Sequence, residues 1–491
     1  MLKTGAEHLE SLRDGRAVFI ADERVADVTA HPAFRDAAAM YAALYDMKAD
    51  PANRDLLSFE EDGDRVSLYF LRPRSREDLV RRTAAHRKIA DFSYGLLGRS
   101  PDVVASTITG LSMKPEVLDE GGPGRTRGYG ANLLAYHARM KREDLYTCYA
   151  VLPPQGGRDP TLYGANQRRA PTLRVTAEDD RGVTLNGMKL LATGAVFANE
   201  VLVGNILPLA QSQVKESITC AIQMNHPGLM LWAREPYARS VRAEFDSPLS
   251  YRFDETDSML LFQDVKVPWE RVFVHDNAEL SRAIYVRTPA HCMHNHQSNV
   301  RFWSKLRLLV GVASLVAKSN GARDIPAVRD TLGRLAGYEA GYAAMIAGQH
   351  QEFETLEHGY VLFNRRFMYA AVLWALEHHS AICDSIRELM GGGALQMPAS
   401  ISVMRDPALR QLFEDYWTTP TESATARMKL FRLAWDLIGS EFASRHVQYE
   451  KFYVGAPFVS RSYNFVNAPW DELHGIVEGL MDSYDLPEDL R

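Results

Sequence analysis

A chain of 491 residues with 46% hydrophobic, 24% charged and 10% aromatic residues is composed like a soluble globular protein and is too long for one small core. A formal net charge of −6 argues against the basic face that nucleic-acid binding requires. No apolar run approaches the ~20 residues of a membrane span, and the first residues lack the apolar core of a secretory leader. Four scattered cysteines without a CxxC pair point away from disulfides and structural zinc, towards a reducing cytoplasm.

From about residue 7 to 142 the period is mainly helical. AVFIADERV reads as a small strand pair, and Leu79, Val80, Ala84, Ala85, Ile89, Phe92 and Leu96 then recur at three- and four-residue steps, one apolar stripe. The glycine-rich connection GGPGRTRGYG carries Arg125 and Arg127, which suggest a phosphate cradle. No clear strand precedes it and no GKS or GKT ends it, so it reads as a flexible loop.

Between about 143 and 272 the period becomes two. YAVL, LRVT, VTLNG, EVLVGN, SITCAIQM and SMLLF predict a β-domain of six or more strands. Within it, LNGMKLLATGAVFANEVLVGN predicts a strand, a tight turn at Asn186-Gly187, a second strand, an exposed loop of small residues and a third strand. Ala192-Thr193-Gly194-Ala195 would offer a hydroxyl and bare backbone N–H groups to a flat ring such as an isoalloxazine. From about 281 the helical period returns over 302–317, 328–349, 360–391 and 425–442, a bundle of the kind that supports oligomers. Three domains follow, 1–142, 143–272 and 273–491, in an α+β order.

Missing signatures bound the chemistry. No GxGxxG, GxxxxGK[ST], GxSxG or HExxH is present, so any electrons arrive on a carrier reduced elsewhere. The run His291-Cys292-Met293-His294-Asn295-His296 reads as a metal site, as hydrogen-bond donors ahead of a helix N-terminus, or as plain structure. Gly98-Arg99-Ser100-Pro101-Asp102 stops a helix and can also fix a guanidinium at a cleft where an anionic oxygen binds. Gly391-Gly392-Gly393 and the run from Tyr449 to Pro457 break later helices.

In the same order along the chain stand SLRDGRAVFIADERVADVTAHPAFRDAAAMYAALYD, SYGLLGRSPD, LLATGAVFANEVLVGN, YRFDETDSMLLFQDVKVPWERVF and KLFRLAWDLIGSEFASRHVQYEKFYVGAP. Together these resemble the oxygenase component of the 4-hydroxyphenylacetate 3-monooxygenase family, almost end to end. The resemblance implies an acyl-CoA dehydrogenase-like fold with an N-terminal helical domain, a middle β-barrel and a C-terminal bundle, assembled as a homotetramer. It implies reduced FAD supplied by a separate NAD(P)H-flavin reductase, reaction with O2 to a C4a-hydroperoxide, and oxygen transfer beside a phenol hydroxyl.

By the same resemblance, Arg99 contacts the phenolic oxygen, Gln155, Gly156, Gly157 and Arg158 run along the flavin, and Thr193 faces its ring edge. Asn205 and Ile206 begin the substrate-covering loop, and Gly455, Ala456 and Pro457 make the C-terminal flavin contact. The Gly391–Gly393 turn resembles one that reaches a neighbouring subunit's flavin. Two positions depart from the family pattern: Val103 stands for a tyrosine and Tyr149 for a histidine, so a different or larger phenol is expected. Two other classes remain: a same-fold flavoprotein dehydrogenase or dehydratase-like lyase, which has only Cys292 near the histidine run to hold a cluster, and a flavin-binding or scaffolding homologue without activity.

Overall fold

A computed structural model describes residues 2–120, 128–157 and 171–488. Arg125, Arg127 and Arg158 lie outside the described residues.

The N-terminal part is helical around two elements that aim at the site. Helix α1 (Arg76–Phe92) starts where the Ser75 hydroxyl accepts from the Asp78 N–H, with Glu77 and Asp78 in its first turn against the helix dipole. Helix α2 (Pro101–Ser112) begins with proline at its first position, and every one of its residues is buried. Between them the chain reverses, and Arg99 sits in that corner.

The strand pair foreseen in AVFIADERV is present as β1 (Ala17–Ile20) and β2 (Glu23–Val25). The middle of the chain adds β3 (Thr147–Ala150), β4 (Arg174–Asp179), β5 (Gly182–Lys189), β6 (Glu200–Val203), β7 (Thr219–Gln223), β8 (Leu229–Ala233), β9 (Ser258–Pro268) and β10 (Val272–Val274). They form a six-stranded sheet in the order β2-β1-β8-β9-β5-β4 and a four-stranded sheet in the order β10-β7-β6-β3. A bridge between Leu152 and Leu190 joins the two, and one continuous core fills the space around them.

The stretch 182–205 differs from its sequence reading in two respects. There is no turn at Asn186-Gly187: β5 runs straight through both residues, and the reversal lies at 180–181, where Asp179 Oδ1 accepts from the Arg181 and Gly182 N–H groups. The Asn-Gly pair marks a bulge instead. The partner strand β9 slips register between Phe262 and Val265, and the Asn186 side chain holds the slip by exchanging two hydrogen bonds with Asp264 (2.9 and 3.1 Å). Gly187, at φ +122°, has the Thr172 carbonyl where a Cβ would stand.

Nor is the loop after β5 exposed: Ala192 to Ala195 are fully buried or nearly so, Thr193 at 6%. Its N–H groups are largely engaged, Ala192 donating to Ser258 O and Gly194 to Glu255 O, both 3.0 Å. Small side chains here let the loop pack beneath Tyr146 rather than face solvent. A methyl at Gly194 would overlap the Tyr146 hydroxyl, at a φ of +75° that L-residues avoid. Gly194→Ala is therefore expected to lower unfolding free energy by roughly 2–4 kcal/mol, the sum of overpacking and backbone strain. Urea unfolding followed by tryptophan fluorescence measures it, and a loss below 1 kcal/mol would refute the packing argument.

Strand β8 has no counterpart in the sequence reading, although Leu229, Leu231 and Ala233 alternate inward. It is central, pairing parallel to β1 and antiparallel to β9.

The C-terminal part holds α3 (Leu280–Arg287), α4 (Ala290–Ser319), α5 (Pro326–Gln351), α6 (Arg365–Met390), α7 (Ala424–Ile438), α8 (Glu441–Phe452), α9 (Pro457–Val466) and α10 (Trp470–Met481). The start of the 360–391 stretch is not helical: Val361–Leu362 pairs with Glu354–Thr355, and Asn364 caps α6. Helix α4 begins at Ala290, so the histidine run lies inside a helix and not ahead of one. A buried ion triad ties α4 to α8, Glu450 accepting from Arg301 (Nη2, 2.8 Å) and Lys305 (2.6 Å). The order helix, sheet, helix is the α+β order expected from the sequence.

Candidate active site

The corner between α1 and α2 is fixed from all three parts of the chain. Glu255, from the loop before β9, accepts from the Gly98 N–H (3.0 Å) and the Arg99 N–H (2.8 Å). The Tyr146 hydroxyl donates to Arg99 O (2.6 Å), and the Tyr449 hydroxyl donates to Gly98 O (2.8 Å). Arg445 on α8 binds Glu255 (2.7 Å) and both oxygens of Asp257 (2.7 and 2.9 Å). Asp257 in turn accepts from the Thr193 hydroxyl (2.6 Å). Burial opposes ionisation of Asp257, yet Arg445 and Arg234 outweigh it and hold the carboxyl well below its usual range. Burial likewise works against the Arg445 charge, and the two carboxylates more than compensate. Glu255, Asp257 and Arg445 thus clasp three chain segments around Arg99 and Thr193. Sequence reasoning did not single them out, because nothing local in YRFDETDS or SRHVQYE shows that they pair.

The Arg99 side chain reaches two partners. Its Nη2 donates to Tyr453 O (2.9 Å), and its Nη1 donates to His294 Nε2 (3.1 Å). His294 Nδ1 lies 3.0 Å from the Thr107 hydroxyl. Since Nε2 accepts from a guanidinium, the ring proton resides on Nδ1 and points at Thr107. Burial first, and the Arg99 charge second, push the imidazole well below its ordinary value, so His294 is neutral. Of the histidine run, only His294 takes this position: His291 pairs with the Tyr369 hydroxyl (2.7 Å) and His296 with Gln349 (2.7 Å).

Tyr149 and Val103 take their places in this setting. The Tyr149 ring lies 6.2 Å from the His294 ring, centroid to centroid, and burial raises its phenol well above ~10, so it only donates. Beside Tyr149, the neutral imidazole of His294 on α4 presents Nε2 as an acceptor. Val103 is fully buried on α2, one turn before Thr107, and presents methyl groups where a tyrosine hydroxyl was expected.

The remaining expected positions divide. Asn205 is 3% exposed and its amide is spent on the loop, accepting from Lys189 Nζ (2.8 Å) and donating to Glu216 O (2.9 Å). Lys189 also donates to Gly204 O (2.8 Å), and burial lowers its ammonium to about 7. Asn205 is thus the anchor of the loop, whereas Ile206 lines a cavity of about 270 Å³ with Tyr285 and Tyr463. Gln155–Gly157 forms a single turn after β3. Gly455 has φ +99° between α8 and α9, with Ala456 as the cap and Pro457 as the first residue of α9. The Gly391 to Gly393 turn ends α6.

This donor set suits a flat, hydrogen-bonding ring. The buried Tyr453 hydroxyl finds no partner among the described residues, and two borders, Thr193-Gly194 and Gly455-Ala456, carry little side-chain bulk. The four cysteines are free and buried without converging; Cys292 donates to Phe363 O and Cys383 lies by His379, and burial pushes Cys220 and Cys383 up to about 12. A thiolate-held cluster has no ligand set here.

Comparison with known proteins bears on this geometry. Residues 4–274 match the 4-hydroxyphenylacetate 3-hydroxylase N-terminal model, and residues 281–482 match the C-terminal one. The pyoverdin chromophore biosynthetic protein PvcC of Pseudomonas aeruginosa is 31% identical over 460 residues, 92% of this chain and 89% of that protein. The 4-hydroxyphenylacetate 3-monooxygenase oxygenase component of Thermus thermophilus is 30% identical over 458 residues, 93% and 92% of the two chains. A crystal structure of such an oxygenase component complexed with FAD and 4-hydroxyphenylacetate superposes with a TM-score of 0.90 at 28% identity, covering 98% of both chains. The chain belongs to the 4-hydroxyphenylacetate 3-hydroxylase family.

Proposed function

We propose that this protein is the oxygenase component of a two-component, flavin-dependent aromatic monooxygenase, which uses O2 to hydroxylate a phenol. The observation that carries the reading is the Arg99–His294–Thr107 hydrogen-bond chain beside Tyr149, buried at His294 and Thr107. Reduced FAD, delivered by a separate flavin reductase, supplies the activated oxygen when bound. Thr193, Gln155–Gly157 and Gly455–Pro457 would hold it, and the three segments 1–142, 143–272 and 273–491 act as the domains that meet there.

The chain's own residues prepare the phenol. A phenol hydroxyl placed at His294 Nε2 can donate a hydrogen bond to that neutral nitrogen, with the Thr107 oxygen accepting from Nδ1–H. The Arg99 guanidinium, released from His294, then faces the phenol oxygen and stabilises the negative charge that develops on it as the ring is attacked. Tyr149 and Val103 bound the ring and exclude water, and Ile206 closes over it. Because His294 is held neutral far below the usual histidine value, the acceptor stays competent in mild acid. We expect kcat/KM for a phenol to stay flat from pH 8 to about 5.5. An acid limb with an apparent pKa near ~6.5, the free-histidine value, would contradict the assignment.

The deciding experiment mixes the purified protein with chemically reduced FAD, 18O2 and a series of phenols, and reads products by mass spectrometry. Incorporation of one labelled oxygen beside the phenol hydroxyl supports the reading. Hydrogen peroxide alone with every phenol overturns it.

A homotetramer is part of the same proposal. Phe458, Phe465 and Val466 on α9 and Ile476 and Leu480 on α10 are each more than 60% exposed in the single chain, an apolar face that a second copy would cover. Ile476→Glu with Leu480→Glu should convert the assembly to smaller species in sedimentation velocity; an unchanged wild-type tetramer would exclude this face as the contact. No helix of the described residues is long and apolar enough to cross a membrane, and the buried free thiols suit the cytoplasm.

A further inference from the structure

The cavity beside the site carries a charge pattern that the hydroxylation chemistry does not use. It is about 270 Å³ and is lined by Ile206, Glu279, Arg282, Tyr285, His291 and Tyr463. Two contacts join it to the Arg99 site. Tyr285 meets the Tyr149 ring edge-on at 6.2 Å, and His291 stands one turn before His294 on α4. Its walls are aromatic: Tyr463 stacks on Tyr369 (4.8 Å, 12°) and leans on His291 (5.0 Å). The buried Tyr285 side chain, 4% exposed, turns its hydroxyl towards Tyr149 and its ring into the cavity.

Glu279 caps α3 and Arg282 lies in its first turn, three residues on, so both project from one face of the helix. Neither makes an ion pair with the other or with any described residue, so both charges are free to meet a ligand. A neutral tail in this cavity would leave both charges where they are. A singly charged tail would meet one partner and one repelling neighbour. A tail with both an ammonium and a carboxylate matches both.

Resting on the hydroxylase reading for the ring end, we propose that the substrate is a phenol bearing a short zwitterionic tail, of the phenolic amino acid type. Arg282 takes the carboxylate and Glu279 the ammonium. The hydroxyl end lies at Arg99 and His294, and the aromatic wall of Tyr285, His291 and Tyr463 lines the path between them. Burial, with the Arg282 charge second, lowers His291 to about 4, so this wall adds no competing cation.

The test uses four probes that differ only in the tail: 4-ethylphenol, tyramine, 3-(4-hydroxyphenyl)propanoate and tyrosine. Binding to the full-length protein without flavin is measured by calorimetry, and turnover with reduced FAD and O2 is measured separately. Tyrosine should bind the tightest of the four. Arg282→Gln should weaken tyrosine and the propanoate about tenfold and leave 4-ethylphenol and tyramine unchanged. Glu279→Gln should weaken tyrosine and tyramine by a similar factor. Both side chains are exposed, so each variant is expected to melt close to wild type. If all four probes respond alike to both substitutions, or if 4-ethylphenol binds as tightly as tyrosine, the zwitterion assignment falls. Tail-dependent binding without hydroxylation of any probe would sustain the cavity assignment and overturn the hydroxylase reading instead.

Discussion

Arg99→Ala is expected to reduce hydroxylated product per O2 consumed by about 10²- to 10³-fold, the usual loss when a preorganised donor to a developing oxyanion is removed. The size follows from how completely the group is positioned. Glu255 and Tyr146 grip its backbone on both sides, and Tyr453 O and His294 Nε2 hold two of its nitrogens. The Tyr449 ring lies 5.5 Å from the guanidinium carbon. Very little motion is left to be lost when a phenolate replaces His294 as its partner. Arg99→Lys separates charge from geometry. A single ammonium cannot span Tyr453 O and a phenolate as the planar fork does, so a loss of roughly tenfold or more is expected even with charge retained. The measurement is the ratio of hydroxylated product to hydrogen peroxide at saturating reduced FAD, with urea unfolding as the folding control. Coupling within a factor of three of wild type for the alanine variant would refute the role.

How much of this the sequence showed depends on the reach of each interaction. The helical stripe from Leu79 to Leu96 is decided by residues three and four apart; α1 carries it as far as Phe92, and Ser93 caps the helix before Leu96. Local patterning failed where a long-range contact set the outcome. Asn186-Gly187 carries the chemistry of a hairpin turn, but Asp264, far along the chain, takes up the Asn186 side chain and makes it a bulge. Ala192–Ala195 has the composition of an exposed loop, and it is the hydroxyl of Tyr146 overhead that makes smallness a packing demand. Strand β8 contains Trp232 facing solvent between buried neighbours, a clean alternation that was open to reading from sequence.

The site shows the same division. Arg99 and Thr193, proposed as site residues, stand out in the sequence because they sit in distinctive local runs, just ahead of a proline-started helix and in a glycine loop. His294 was visible only as one of a histidine cluster. Its distinction from His291 and His296 lies in which face of α4 meets Arg99, and that depends on the packing of α4 against α2. Likewise, the tyrosine at 149 reads from β3 alone as a site without an imidazole, whereas His294 reaches its side from an element more than a hundred residues later.

Arg445→Leu is expected to lower unfolding free energy by about 3–5 kcal/mol, the range for breaking a buried ion pair by removing one partner. The substitution leaves Glu255 charged and almost fully buried and strips Asp257 of the stronger of its two arginines. The pH dependence has a definite sign. Asp257 is depressed in the folded state, so its contribution is fully present above the unfolded carboxyl value of ~4. It is lost only as pH falls through the lower folded value. Wild type should therefore resist acid to well below pH 4, and the variant should unfold at a higher pH. A second variant, Arg445→Leu with Glu255→Gln and Asp257→Asn, removes the stranded charges and should recover at least half of the lost stability. It should not recover coupling, because the amides hold the Gly98 and Arg99 N–H groups and the Thr193 hydroxyl without a fixed charge behind them. Urea unfolding from pH 3 to 8 and the product-to-peroxide ratio distinguish the two effects. If the triple variant regained wild-type coupling along with its stability, the clasp would be only a strut between domains, and the positioning of Arg99 and Thr193 would have to come from elsewhere.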